Sequence, residues 1–124
     1  MISEEILALE AGWELDKLTA TDIMEWSIYS DWYIYGNKPI CRTTDFLPSV
    51  NISAAWQVVE KMVRDGYAFC FDWASGKIAT VIRCIFEENF SKAESEESEW
   101  VEGKTAPEAI CKAALLAGQG DRHA

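Results

Sequence analysis

Few residues in this chain are equipped for catalysis. The only histidine, His123, stands next to the last residue. General acid–base chemistry needs a well-placed imidazole, or carboxylates paired so that their pKa values separate. The carboxylates gather instead in a serine-rich acidic stretch over 87–99, EENFSKAESEESE. Such a run reads as a solvated, mobile loop. Asp72 with Glu87 and Glu88 is the one set that could hold a metal at a strand end, and a small metal-dependent hydrolase would follow from it. Ordinary surface charge is the commoner role of such acids. No G-x-S-x-G, Walker A or dinucleotide-binding glycine pattern occurs. The cysteines Cys41, Cys70, Cys84 and Cys111 lack the closely spaced pairs of structural zinc sites. Cys70, Cys84 and Cys111 sit in apolar runs and read as small buried hydrophobes. The expectation is no catalytic residue, no metal and no cofactor.

The equipment for binding is richer. Trp26, Tyr29, Trp32, Tyr33 and Tyr35 fall in the stretch WSIYSDWYIY, broken by one charge, Asp31. Tyr and Trp suit interfaces and ligand pockets as well as cores. A nucleotide-sized anion needs aromatic faces for its base, cations or backbone N–H groups for its phosphate, and a free helix start where one exists. The candidate ligand contacts are therefore Tyr29, Trp32, Tyr33 and Tyr35 as rings and Lys38 and Arg42 as nearby cations. Ser49 and Asn51 join them at a helix start, and Arg83 lies within a strand. Each has a plainer role. The rings can be core or subunit packing, and a mid-strand arginine most often pairs with a carboxylate. Trp26 and Trp56 fall on buried helical stripes and are expected in the core.

The elements that position these residues follow from hydrophobic period. A short helix over 3–10 starts at Ser3, with Glu4 and Glu5 near the positive end of its dipole. After Gly12, Leu15, Leu18, Ile23 and Trp26 predict a helix over 13–26. Residues 27–50 are irregular, with a possible short strand at Tyr33-Ile34-Tyr35. A segment that long is functional or carries structure of its own. Ile52, Ala55, Trp56, Val59, Met62 and Val63 predict a helix over 52–65, capped by Asn51 and ended by Gly66. Strands follow at 67–73 and 77–86 around Ala74-Ser75-Gly76, with a third short one near Trp100-Val101. Thr105 and Pro107 open a last helix over 106–117. It is apolar most of the way round, which suggests a subunit contact. Residues 118–124 read as a frayed tail. The whole is one α+β domain: an antiparallel sheet of about three to four strands between helices, a three-layer α/β/α sandwich.

Composition narrows the partners. Net charge is −10, from 21 acidic and 11 basic residues. Direct nucleic-acid binding needs a basic face, and so does adhesion to an anionic membrane. No apolar run reaches the ~20 residues of a membrane span. The opening Ile2-Ser3-Glu4-Glu5 is acidic where a secretory leader would be basic. A cytoplasmic setting with free thiols is expected.

Three stretches resemble the phage ABA sandwich domain, a family of small phage and prophage proteins. They are Gly12-Trp13-Glu14-Leu15-Asp16-Lys17-Leu18 running to Met24-Glu25-Trp26, then Ser49 to Met62, then Thr105 to Leu115. The resemblance implies a sheet between helical layers and a phage origin, and so a host bacterial cytoplasm; many family members have no assigned activity. Three positions depart from the usual pattern. Trp13 stands where Arg is commoner, and Glu25 where Gly is commoner. Ser49-Val50-Asn51-Ile52 stands where Ser-Thr-Asp-Ile often opens the middle helix. A role resting on that Arg or Asp does not carry over.

Acidic, non-enzymatic phage proteins of this size include sponges, which sequester the nucleotide signals of bacterial immune systems such as Thoeris. The expected function, argued by class, is therefore a homo-oligomeric anti-defence sponge for an ADP-ribose derivative or a cyclic nucleotide. The alternative is an acidic inhibitor that binds a host defence protein directly, by nucleic-acid mimicry.

Overall fold

Two helices come first, α1 (Ser3–Ala8) and α2 (Trp13–Asp22), in a computed structural model that describes residues 3–73, 80–86 and 101–122. Only the backbone is described at residues 3, 68, 70–73, 80–86, 102 and 119–122. The acidic stretch 87–99, the expected turn at 74–76, residues 77–79 of the second strand, and His123 lie outside the described residues. Leu15, Ala20 and Ile23 are buried as the helical period requires, and Leu18 and Trp26 pack against them from the rim. The helix stops at Asp22, four residues short of expectation. The cause is local: Glu25 sits in the left-handed region at φ 62°, and the Trp26 N–H bonds to the Ala20 carbonyl at 3.1 Å. That conformation costs an L-residue roughly 1–2 kcal/mol. The glycine usual here in the resembled family thus has a physical reason.

Residues 27–42 are an antiparallel meander rather than irregular chain: β1 (Ser27–Tyr29), β2 (Trp32–Tyr35) and β3 (Lys38–Arg42). A single 3₁₀ turn, Thr43–Asp45, follows. Tyr29 faces Trp32 across Ser30-Asp31, and Tyr35 faces Lys38 across Gly36-Asn37. The first residue of each loop has positive φ, 55° at Ser30 and 63° at Gly36, which suits the twist of a two-residue hairpin. Tyr33 pairs with Cys41 but Ile34 pairs with Pro39, so Ile40 is an extra residue on β3. Pro39 has no N–H to give to a ladder, and a bulge beside it re-aims the side chains around it.

Helix α3 (Ile52–Arg64) is capped as expected: Asn51 Oδ1 accepts the Ala54 N–H at 2.9 Å, and Gly66 takes φ 102° past the far end. Its buried face is Ala54, Ala55, Val58, Val59 and Met62. Trp56 is not in the core as its spacing suggests but 48% exposed, and Ile52 and Val63 are half exposed beside it. The apolar stripe is wider than the surface it meets. Residues 52, 56 and 63 lie roughly 100° round the helix from Met62, at 3.6 residues per turn.

A second antiparallel sheet holds β4 (Tyr67–Trp73), β5 (Thr80–Phe86) and β6 (Val101–Gly103) in the order β4-β5-β6. The fold is α+β, as the sequence indicates, with a three-stranded sheet under the helices and the meander as an addition. The last helix, α4 (Ala106–Arg122), runs past 117, and Gly118 leaves room for Ile23 against it. Helix α4 touches β5, β6, α1, α2 and α3. Its residues Glu108 to Leu115 are all buried. From Glu108 to Leu115 its surface is thus covered within one chain. Gly103 lies so close that a Cβ there would fall 2.7 Å from the Ala109 nitrogen. On the other side, Lys112 pairs with Glu108 at 2.8 Å and donates to the Leu7 carbonyl at 3.1 Å, tying α1 to α4.

Candidate functional site

The meander reaches the helices through three rings. Trp26 packs on Phe46 at 4.8 Å between centroids and on Tyr33 at 5.6 Å, and Tyr33 meets Phe46 edge-on. Trp26 has a second exposure. With Met24, Tyr35 and Ile40 it lines an open cleft of about 440 Å³, whose other wall is the last turn of α3: Lys61, Arg64 and Asp65. The bulge at Ile40 and the left-handed turn at Glu25 lie beside this cleft in the chain, next to the residues that line it.

The electrostatics of the cleft are uneven. Lys61 is held by Asp65, four residues on, and lies 3.9 Å from Glu25. Arg64 is exposed and has no carboxylate partner among the described residues. Arginine presents a planar fork that matches phosphate or carboxylate in two hydrogen bonds. An aromatic face, an available guanidinium and a carboxylate acceptor therefore border one space.

Of the nine residues expected at a ligand, the structure places one, Tyr35, in this cleft. Tyr29 is exposed at the hairpin and Lys38 stands opposite Tyr35. Neither lines the cleft. Trp32 and Arg42 form their own pair across β2 and β3, with the guanidinium 5.2 Å from the ring centre. Arg83 lies opposite Cys70 on β5, and its side chain is outside the described set. Three expectations are corrected. Tyr33 is fully buried in the aromatic triad. Ser49 is fully buried too: its N–H donates to Asp16 Oδ1 at 2.7 Å and its Oγ accepts the Gly12 N–H at 2.9 Å. Asn51 spends its side chain on the cap of α3. At the start of α3 these two side chains are thus committed to contacts within the chain.

Trp26, Lys61 and Arg64 were not among the expected contacts. The spacing of Trp26 indicates a core position, and its ring does pack on Tyr33 and Phe46 while also lining the cleft. Lys61 and Arg64 sit where basic residues ordinarily balance a helix dipole, so their type and place gave no separate signal.

The buried polar groups cluster elsewhere. Burial raises the Asp16 pKa above the ordinary carboxylate value, against hydrogen bonding from Ser49. Burial pushes Tyr33 up to about 12, with the Asp16 carboxylate adding to the rise, and Tyr33 Oη has no hydrogen-bond partner among the described residues. Burial likewise pushes Cys111 up to about 12 and raises Cys41. A thiol needs a depressed pKa to act as a nucleophile, and neither of these has one. Among the described residues no group of His, Cys, Asp and Glu could hold a metal ion, and no helix is long and apolar enough to cross a membrane.

A crystal structure of a phage protein from Bacillus cereus ATCC 14579 is similar to this chain. It shares 28% identity over 90% of each chain, with a TM-score of 0.65. No curated protein matches. The profile of the phage ABA sandwich domain matches residues 17–115, from the second turn of α2 to the middle of α4. The chain belongs to the phage ABA sandwich domain family.

Proposed function

We propose that the cleft between the meander and the end of α3 binds a small nucleotide-like ligand, and that the protein acts by sequestering it without chemistry. One observation carries this reading: Trp26, Tyr35 and the available Arg64 border a single cleft of about 440 Å³ in a chain of net charge −10. So acidic a chain repels anions at long range. A cation with no carboxylate partner among the described residues, set beside two rings, is the arrangement that overcomes this locally. Ring-on-base stacking contributes about 1–3 kcal/mol per base, and the volume falls within the usual range for small-molecule sites.

The same cleft gives little support for catalysis. Lys61 is occupied by Asp65 and Glu25, and among the described residues no histidine or depressed thiol borders the space. In a phage protein, holding a host nucleotide signal is a function that needs affinity alone, and an ADP-ribose derivative or a cyclic nucleotide fits that role. Calorimetry against a nucleotide panel tests it. The expected result is binding at micromolar concentration or tighter, weakened by Arg64→Ala, with the ligand recovered unaltered after denaturation. Absence of binding, or recovery of a converted ligand, would sink the reading.

A further inference from the structure

Arg64 borders a second cleft as well. This one measures about 340 Å³ and is lined by Trp56, Val59, Glu60, Val63 and Arg64. The two clefts meet at the last turn of α3, and among the described residues Arg64 is the one common to both. Each has an indole wall, Trp26 in the first and Trp56 in the second. Each also has a carboxylate, Asp65 in the first and Glu60 in the second.

We infer that the ligand is a linear, pyrophosphate-linked dinucleotide lying across Arg64. This rests on the reading of the first cleft given above and extends it. One base occupies the Trp26 and Tyr35 side, the pyrophosphate lies on the Arg64 guanidinium, and the second nucleoside covers Trp56, Val59 and Val63. The guanidinium fork can hold both phosphates of a pyrophosphate at once. Glu60 and Asp65 are acceptors for ribose hydroxyls or base amino groups, a use of carboxylates known from dinucleotide sites in general. The position of the cation decides the linkage. A cyclic dinucleotide carries its two phosphates on opposite edges of a ring, and one cation between two clefts serves only one of them. A mononucleotide fills one cleft and leaves the apolar second one wet.

The test compares three ligands with the same base: a nucleoside monophosphate, the corresponding dinucleoside pyrophosphate and the corresponding cyclic dinucleotide, in adenine and guanine series. The full chain is titrated as wild type, Trp56→Ala, Val63→Asp and Arg64→Gln. The expected result is a pyrophosphate that binds roughly ten-fold or more tighter than the monophosphate, as a second stacked base would give. Trp56→Ala and Val63→Asp, both at half-exposed positions, erase that advantage, so that the pyrophosphate binds no tighter than the monophosphate. Arg64→Gln weakens both ligands. Equal affinity for monophosphate and pyrophosphate, or a preference for the cyclic form, overturns the inference and leaves the single-cleft reading standing. A change of sedimentation mass on Trp56→Ala with no change in affinity also overturns it, because the second cleft is then a subunit contact. Failure of every ligand in both series removes the inference and the reading beneath it together.

Discussion

At the start of α3 the two side chains expected at a ligand, Ser49 and Asn51, are both engaged from within the chain. Asn51 takes the Ala54 N–H, Asp16 takes the Ser49 N–H, and Ser49 Oγ takes the Gly12 N–H. At the other end, Arg64 has no carboxylate partner among the described residues and borders two clefts. The helix dipole favours anions at the first end, not the second. The fold nonetheless commits the polar side chains at the first and leaves a charged one, Arg64, without a carboxylate partner among the described residues at the second. A dipole offers about half a charge at a helix start, and the Asn51 cap already answers part of it. A full side-chain charge beside two rings is a stronger attraction and survives at the unfavourable end. The sealed end should therefore matter to stability and the open end to binding.

The largest expected effect is at the sealed end. Asp16→Ala leaves the buried Ser49 N–H without an acceptor, which costs about 1–3 kcal/mol. Urea melts at neutral pH measure it, and the affinity of the cleft should not move. Asp16→Asn keeps an acceptor oxygen and separates charge from hydrogen bonding. Burial raises the Asp16 pKa, so the folded chain binds a proton that the unfolded chain has already released. Stability from this group is therefore fullest below the unfolded pKa and falls as pH rises through the folded one. The Asn variant should lack that slope. An unchanged pH profile would show that Asp16 is not the buried acid it is taken to be.

Tyr33→Phe removes a buried hydroxyl that has no hydrogen-bond partner among the described residues, so a gain of about 1 kcal/mol is expected. A loss of that size would reveal a partner for Oη and a sealed end larger than Asp16, Ser49 and Gly12. Glu25→Gly lies beside the open end, where Glu25 reaches Lys61. Relief of the left-handed conformation is opposed by the entropy of glycine, leaving a gain of about 0.5–1 kcal/mol in thermal melts. The lost contact with Lys61 joins an exposed carboxylate at 3.9 Å and subtracts little. Destabilisation by this change would mean that Glu25 holds Lys61 in place.

Much of the helical and sheet framework was legible because period and caps agree there. The strand at 67–73, the cap at Asn51 and the stop at Gly66 all appear as the pattern indicates. Residues 27–42 were harder. Their strands are three to five residues long, too short for alternation to show, and a bulge at Ile40 breaks the alternation that exists. The stripe of α3 misled in another way. Spacing shows that Trp56 shares a side with Val59, but not where the covering surface ends. The cleft itself was legible only through Tyr35. Its other walls come from the end of α2 and the last turn of α3, far apart in sequence, and no local pattern joins them.

The smallest expected change in stability comes from Arg64→Gln. Arg64 is exposed, ends its helix and makes no ion pair among the described residues, so nothing buried depends on its charge. Its one structural contribution is to the dipole at the end of α3, about 0.3–1 kcal/mol at most for an exposed site and smaller in salt. Glutamine keeps the helix propensity of arginine nearly intact. The melting curve should therefore overlay that of the wild type at moderate ionic strength, while nucleotide affinity falls. A loss of stability well above 1 kcal/mol would mean that Arg64 is held by the fold as Asp16 is, and the contrast between the two ends of α3 would fail. Unchanged stability with reduced affinity is the pattern of a residue kept for what it binds.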